Sequence, residues 1–171
     1  EYNRHAITKI SNIHFAATKK SQKRIIKMGE NPKFVFFTGS PSIDDVIKQN
    51  FTSKKNLEKK FKINFKGDEI ILLQHSVTTE TEKTEIEILN TLNAILKTNK
   101  ITIAIAPNSD AGNKQIYDNI LNFSENHEFI TMFKNLPRTD FLGLLNNCGV
   151  LVGNSSSGII EASYFNIPVI N

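Results

Sequence analysis

The 171-residue sequence has one cysteine and no apolar run approaching the roughly 18 residues needed to cross a bilayer. No charged-apolar-small cleavage pattern opens the chain, so nothing indicates export. Because Cys148 lies in an apolar stretch, we predict that it is a buried small side chain and not a nucleophile. These absences predict a cytoplasmic protein with no membrane partner.

The sequence also lacks the patterns of a metal site, an internal repeat or a low-complexity segment. Its histidines are dispersed, and no Cys/His spacing resembles a zinc site. The net charge of +4 comes mostly from scattered lysines. They are densest over residues 54–66, in a run without arginines. We interpret this run as a solvated helix face and predict no nucleic-acid partner.

Short apolar runs alternate with segments of helical spacing. Continuous apolar runs suit strands that are buried on both faces of a sheet. Repeated βα units imply parallel strands and right-handed crossovers, so we predict an α/β fold with a Rossmann-like, doubly wound parallel sheet. The predicted strands are Ile13–Ala17, Phe34–Phe37, Ile70–Leu73, Ile101–Ala106, Phe129–Phe133, Val150–Val152 and Val169–Ile170.

A lysine-rich segment interrupts this alternation and predicts a division of the chain. We assign residues 1–40 to the end of one Rossmann-like domain, 41–66 to a linker and helical insertion, and 67–171 to a second, more complete domain. The expected alternation of strands and helices breaks off at both ends of the sequence. We therefore expect a piece of a larger two-domain protein.

The turn Gly153–Gly158 (GNSSSG) follows an apolar strand and is expected to open a helix, with Glu161 in its early turns. Free N–H groups at a helix start, together with the helix dipole, favour an anion. Serines add donors, and glycines let a phosphate approach the backbone. An ordinary capped βα turn is the alternative.

Polar segments follow three other predicted strands, at 74–80, 107–112 and 134–138, and should converge on the same rim of the sheet. His75 could donate to a phosphate or act as an acid or base near neutral pH, or it could be a hydrogen-bonded structural residue. Asn108 and its neighbours could contact a ligand or simply form a turn. Because these segments converge on one rim of the sheet, we favour a functional role for both His75 and Asn108.

Five motifs in series resemble the UDP-N-acetylglucosamine 2-epimerases, and most closely their hydrolysing, sialic-acid-pathway branch. The likeness runs in order along essentially the whole chain, which makes it more specific than any single loop. The motifs are Arg4–Lys9 (RHAITK), Gly39–Asp44 (GSPSID), His75–Glu80 (HSVTTE), Pro107–Gly112 (PNSDAG) and Gly153–Gly158 followed by Glu161.

The resemblance implies a GT-B architecture, two Rossmann-like domains with the active site between them, in which 67–171 is the UDP-binding domain. It implies no cofactor, and a homo-oligomer in the full-length enzyme. It implies catalytic roles for His75 and Arg4, with His75 at the diphosphate. The remaining implied contacts to UDP are Ser155 and Ser156 to phosphate, Glu161 to the ribose hydroxyls, Asn108 beside the nucleotide, and the Leu136 backbone at the uracil edge.

The implied reaction breaks the anomeric C–O bond with loss of the C2 proton, giving a glycal and UDP, and water then adds to give the free manno-configured sugar. The substrate would be UDP-N-acetylglucosamine or a 4-acetamido-6-deoxy relative. A non-hydrolysing epimerase and a non-catalytic nucleotide-binding module are the alternatives.

This sequence departs from the family pattern in three places. Ser76 stands where the family usually has proline, so we expect a looser turn there. A carboxylate base expected upstream of Arg4, and a glycine-arginine loop expected after the last strand, fall outside the chain. We therefore expect no epimerase activity from these 171 residues alone.

Overall fold

A computed structural model describes residues 2–48, 50–77 and 81–171. The chain forms two compact units, residues 1–48 and residues 49–171. The boundary between the two units falls inside the stretch 41–66, whose assignment to a linker and helical insertion stays a prediction. Which domain of a longer protein each unit belongs to stays a prediction.

The first unit contains α1 (Tyr2–Ile10), β1 (His14–Ala16), α2 (Lys19–Lys27), β2 (Val35–Phe37) and α3 (Pro41–Lys48), with a 3-10 helix at Pro32–Phe34. The two strands are parallel, and His14 is in register with Val35. Thr18 caps α2 by accepting a hydrogen bond from the N–H of Ser21 at 3.0 Å. Ala16, Val35 and Val46 are the buried apolar side chains among the described residues of this unit.

The second unit is larger and contains five parallel strands. Its helices are α4 (Lys54–Phe61), α5 (Thr84–Thr98), α6 (Asn113–Asn126), α7 (Arg138–Asn147) and α8 (Glu161–Phe165). Its strands are β3 (Ile70–Leu72), β4 (Thr102–Ile105), β5 (Ile130–Phe133), β6 (Val150–Val152) and β7 (Val169–Ile170). Single-turn 3-10 helices lie at Thr81–Lys83 and Ser156–Gly158.

The sheet of the second unit has the order β5-β4-β3-β6-β7. The chain first builds outward from β3 to β5 and then returns to the other side of β3 with β6. The point where the direction reverses therefore lies between β3 and β6, and a doubly wound sheet binds ligands beyond the strand ends at such a point. Each of the seven predicted strands is present within a residue or two of its predicted bounds.

The core of the second unit is aliphatic. Helices α5 and α6 pack against each other and against one face of the sheet, while α4, α7 and α8 form a second packed layer. Ile70 and Leu72 of β3 belong to the cluster under α5 and α6, because alternate strand residues point to the same face. Fully buried side chains of this size each stabilise the fold by about 1.5–3 kcal/mol.

A buried polar group joins α4 to α7. Asp140 is 4% exposed. It accepts a hydrogen bond from Thr52 Oγ1 at 2.6 Å and a second from the Lys60 ammonium. Burial raises the pKa of Asp140, but these hydrogen bonds outweigh it and the net pKa is lowered. All lysines of the run are exposed, as expected for a solvated face, including Lys60, which pairs with Asp140.

Cys148 is buried, as predicted, and burial raises the pKa of its thiol far above the usual range. This places Cys148 among structural cysteines, because the thiolate is the reactive form. No helix in residues 2–48, 50–77 or 81–171 is both long and apolar enough to cross a membrane.

Candidate functional site

A cleft of about 300 Å³ lies at the carboxyl ends of the central strands of the second unit. It brings together residues that follow β3, β5 and β6, so the predicted convergence on one rim holds for these segments. The cleft is lined by Leu73, His75, Ile105, Asn135, Leu136, Arg138, Phe141, Ser155 and Ser157. It opens beside the reversal point of the sheet, where the topology places a ligand.

Gly153 allows β3 and β6 to approach closely at the floor of this region. Its φ is 129°, a backbone conformation that glycine tolerates and other residues rarely adopt. A Cβ at this position would lie 2.1 Å from the carbonyl oxygen of Leu73. The N–H of Leu73 donates to the carbonyl of Val152 at 2.9 Å. The two loops that border the cleft therefore start from strand ends that are held together.

The imidazole of His75 is half-buried and has a defined partner. Its Nδ1 accepts a hydrogen bond from the backbone N–H of Asn108 at 3.2 Å. The acceptor role of Nδ1 assigns the ring proton of neutral His75 to Nε2. Burial lowers the pKa of His75, although Asp110 partly opposes the shift. His75 is therefore a neutral imidazole near pH 7 with one N–H donor.

The backbone of His75 is held by a side chain from the end of β6. Asn154 Oδ1 accepts a hydrogen bond from the His75 N–H at 2.8 Å. Asn154 Nδ2 donates to the His75 carbonyl, also at 2.8 Å. The next residue, Ser76, is buried, and its hydroxyl has no hydrogen-bond partner within the described parts of the chain.

Asn108 lies on an exposed turn and not on the wall of the cleft. Its Nδ2 donates to Asp110 Oδ2 at 2.6 Å, and its Oδ1 accepts from the Asp110 N–H at 3.3 Å. The side chain thus forms the turn, while the backbone N–H contacts His75. Asn108 lies on the predicted rim and contacts His75 through its backbone, and its place beside a nucleotide stays a prediction.

The serine-rich turn differs from the prediction. It leads into the 3-10 helix Ser156–Gly158, and α8 begins only at Glu161. The N–H of Ser157 donates to Ser155 Oγ at 3.3 Å. The N–H groups of residues 158–160 donate to backbone carbonyls of Ser155 and Ser156. The N–H groups of residues 157–160 are therefore hydrogen-bonded within the turn, and the predicted free N–H groups of an opening α-helix are not found at these positions.

Glu161 is buried and forms an ion pair at the edge of the cleft. It is 7% exposed, and its Oε1 accepts a hydrogen bond from Arg138 Nη1 at 3.0 Å. Arg138 lies at the start of α7, lines the cleft and keeps 41% of its side chain exposed. The sequence placed Arg138 on the rim but gave it no role. Its pairing with Glu161 joins two segments that only the folded chain brings together.

The cleft separates the predicted site residues into three groups. His75, Leu136 and Ser155 line it, whereas Ser156, Asn108 and Glu161 lie outside its lining. Arg4 belongs to the first unit, where it is exposed on α1. The motif residues Thr78, Thr79 and Glu80 lie outside the described residues. In the described part of the chain, no group of three or more histidine, cysteine or acidic side chains could hold a metal ion.

Comparison with known proteins identifies the family of this chain. The family model described as UDP-N-acetylglucosamine 2-epimerase matches residues 1–171. The UDP-N,N'-diacetylbacillosamine 2-epimerase (hydrolyzing) of Legionella pneumophila is 35% identical over 171 residues, 100% of this chain and 45% of that protein. The GDP/UDP-N,N'-diacetylbacillosamine 2-epimerase (hydrolyzing) of Campylobacter jejuni is 32% identical over 98% of this chain and 44% of that protein.

A solved structure shares the fold. The UDP-GlcNAc 2-epimerase from Neisseria meningitidis bound to UDP-GlcNAc aligns with a TM-score of 0.82 at 20% identity, covering 99% of this chain and 46% of that one. The predicted class, an α/β Rossmann-like part of a GT-B architecture, is confirmed at the level of the fold. The chain belongs to the UDP-N-acetylglucosamine 2-epimerase family. It spans a little under half the length of the relatives that it matches.

Proposed function

We propose that this chain carries the nucleotide-binding part of a hydrolysing UDP-sugar 2-epimerase. The whole protein would convert UDP-N-acetylglucosamine, or a 4-acetamido-6-deoxy relative, to UDP and the free manno-configured sugar. The observation that carries this proposal is the cleft itself. A neutral histidine with one N–H donor, a serine hydroxyl and an arginine meet at the reversal point of a doubly wound sheet.

These groups suit a departing diphosphate. When the C1–O bond of the sugar breaks, negative charge develops on the diphosphate oxygen. Donors already in place stabilise that charge more than they stabilise the ground state. His75 would donate through Nε2, Ser155 through its hydroxyl, and Arg138 through the N–H groups not directed at Glu161. The C2 proton would leave to a carboxylate that lies outside this chain.

The ribose would lie on the other side of the same ion pair. Glu161 is the carboxylate that we propose for its hydroxyls, because one carboxylate can accept from two neighbouring donors. The Arg138 contact occupies Oε1 at 3.0 Å and fixes the orientation of the carboxylate. We also keep Leu136 at the base and Ser156 at the phosphate as proposals, with Asn108 acting through His75.

The hydrolysing outcome rests on the relatives. Two proteins that are 35% and 32% identical to this chain carry the word hydrolyzing in their names. For the whole protein, phosphorus and proton NMR of the products distinguish the alternatives. Free N-acetylmannosamine-type sugar with UDP supports the proposal, whereas a UDP-linked manno sugar would establish the non-hydrolysing reaction.

Binding of UDP to the 171-residue chain is the direct test of the site. Calorimetry at low salt should show saturable binding of UDP and much weaker binding of uridine, which lacks the diphosphate. Ser155→Ala and Glu161→Ala should each weaken binding by about three- to tenfold, as expected for the loss of one hydrogen bond. Ser163→Ala is the matched control, because its hydroxyl bonds only to the carbonyl of Ile160.

Two results would contradict the proposal. If the folded chain does not bind UDP, this cleft is not a nucleotide site. If uridine and UDP bind with equal affinity, the cleft does not contact the diphosphate. The chain alone should release no UDP from UDP-N-acetylglucosamine. Release that His75→Ala abolishes would show that the C2 base lies within the chain.

A further inference from the structure

The side chain of Asn154 makes two hydrogen bonds to one residue on the far side of the cleft rim. Its Oδ1 accepts from the His75 N–H and its Nδ2 donates to the His75 carbonyl, both at 2.8 Å. The two residues are 79 positions apart in sequence. Asn154 is exposed and contributes nothing to the apolar core. Both ends of its amide are nevertheless committed to a single partner.

This arrangement continues the sheet beyond the end of its strands. β3 and β6 are paired in register up to Leu72 and Val152. Beyond Gly153 the backbone of the second strand turns away into the serine turn. A side-chain amide has the same donor and acceptor as a peptide group. Asn154 thus satisfies, from its side chain, both the N–H and the carbonyl of His75, which two successive backbone partners would bind if the parallel strand continued.

Three hydrogen bonds hold His75, and together they limit the orientation of its imidazole. Its N–H and carbonyl are held by Asn154, and its Nδ1 is held by the N–H of Asn108. Fixing the backbone limits the side-chain torsion angles that place Nδ1 within reach of Asn108. The same torsion angles determine where the opposite ring nitrogen, Nε2, is directed.

We propose that Asn154 is a positioning residue that sets the orientation of His75 and, through it, the direction of the Nε2–H donor. This inference rests on the proposed function only for the identity of the ligand. The hydrogen-bond geometry that carries it belongs to the free protein. It can therefore be tested with and without UDP.

The ligand-free test is NMR of the folded chain with Asn154→Ala and Asn154→Asp. In Asn154→Ala, hydrogen exchange should accelerate at least tenfold at the amides of both His75 and Asn108, and the pKa of His75 should move up toward its ordinary value. Asn154→Asp keeps an acceptor for the His75 N–H, so that amide should stay protected while the bond to the carbonyl is lost. The control is Asn126→Ala, an exposed asparagine whose amide bonds only within α6.

The Asn108 amide is the decisive probe, because Asn154 does not bond to it in this structure. If only the His75 amide changes, while the Asn108 amide and the His75 titration keep their wild-type behaviour, Asn154 merely anchors a loop and the inference is wrong. Unchanged exchange of Ile71 and Ile103 in the sheet shows that the variants remain folded.

The second arm is UDP affinity. Asn154→Ala should weaken UDP binding about tenfold through the misplaced histidine, and the added effect of His75→Ala should be much smaller than in the wild type. Wild-type affinity in Asn154→Ala would overturn the positioning role. If the wild-type chain binds no UDP, the proposed nucleotide site fails, whereas the ligand-free NMR result still decides the role of Asn154.

Discussion

Gly153→Ala tests whether the close approach of β3 and β6 holds the cleft together. The added methyl group would lie 2.1 Å from the carbonyl oxygen of Leu73, far inside contact distance. The φ of 129° alone costs a non-glycine residue about 1–3 kcal/mol. Relieving the clash requires the ends of β3 and β6 to separate, which lengthens the hydrogen bond from the Leu73 N–H to the Val152 carbonyl.

The weakened hydrogen bond contributes about 0.5–1.5 kcal/mol, so together with the backbone conformation the expected total is about 1.5–4.5 kcal/mol. Gly67→Ala is the matched control. Gly67 also has a positive φ, 83°, but nothing lies within 4 Å of its added Cβ. It should lose only about 1–2 kcal/mol from the backbone conformation. The difference between the two variants isolates the clash at the strand ends.

The assay is urea unfolding followed by far-UV circular dichroism, with hydrogen exchange of residues 68–77 to report on the second unit separately. Separate reporting matters because a chain of two compact units need not unfold in one step. Gly153→Ala should also abolish UDP binding at concentrations that saturate Gly67→Ala. Equal stability of the two variants would refute the reasoning, since it would show that the added methyl group at residue 153 does not force β3 and β6 apart.

Four further predictions concern titratable groups. The pKa of His75 is lowered in the folded chain, so the unfolded chain binds more protons as the pH falls below about 6.5. The free energy of unfolding should therefore decrease below this pH. In urea titrations, His75→Gln should lose this part of the pH dependence. Asp140→Asn should cost about 1–3 kcal/mol in the same assay, because Asp140 is buried and accepts two hydrogen bonds. Lys60→Met should cost only about 1 kcal/mol, because the lysine side chain is 48% exposed; a larger loss than Asp140→Asn would contradict this ranking. Cys148 should react with a thiol reagent far more slowly in the folded chain than in denaturing urea, and equal rates would show that the thiol is accessible.

The strands of this protein were predictable because their signal is local. Runs such as Ile70–Leu72 and Val150–Val152 are continuously apolar, as expected for strands covered on both faces. The βα alternation then required parallel strands, and polar residues after the strands had to meet at one edge. His75 and Ser155 were found by that argument, and both line the cleft.

The relations between side chains were not predictable in this way. Arg138 and Glu161 are 23 positions apart, and nothing in either segment specifies the other as its partner. The Asn154 contact depends on how far the β6 backbone runs before it turns. The serine turn was misjudged because its hydrogen bonds close a 3-10 turn, in which Gly158 lies so close to Val169 of β7 that an added Cβ would be 2.9 Å from it. Local sequence thus located the site, and tertiary contacts determined which groups are free in it.

The lysine-rich stretch shows the same limit. Its composition between residues 54 and 66 predicts an insertion and does not reveal that Leu57 and Phe61 in that stretch are buried within the second unit. Two buried residues one turn apart are enough to attach a helix whose other positions are polar. The density of charge described only the exposed face of α4.

The pairing of β3 with β6 has a consequence for the order in which the molecule assembles. The contacts at the strand ends join residues 79 positions apart, and β4 and β5 lie between them in the chain. Closing so long a loop is slow, so we expect the rim of the cleft to form after the local βα units and to open before them. A ligand that spans the two strand ends would then act on the unfolding rate and leave the folding rate nearly unchanged, so its presence would be measured as a longer lifetime of the native state.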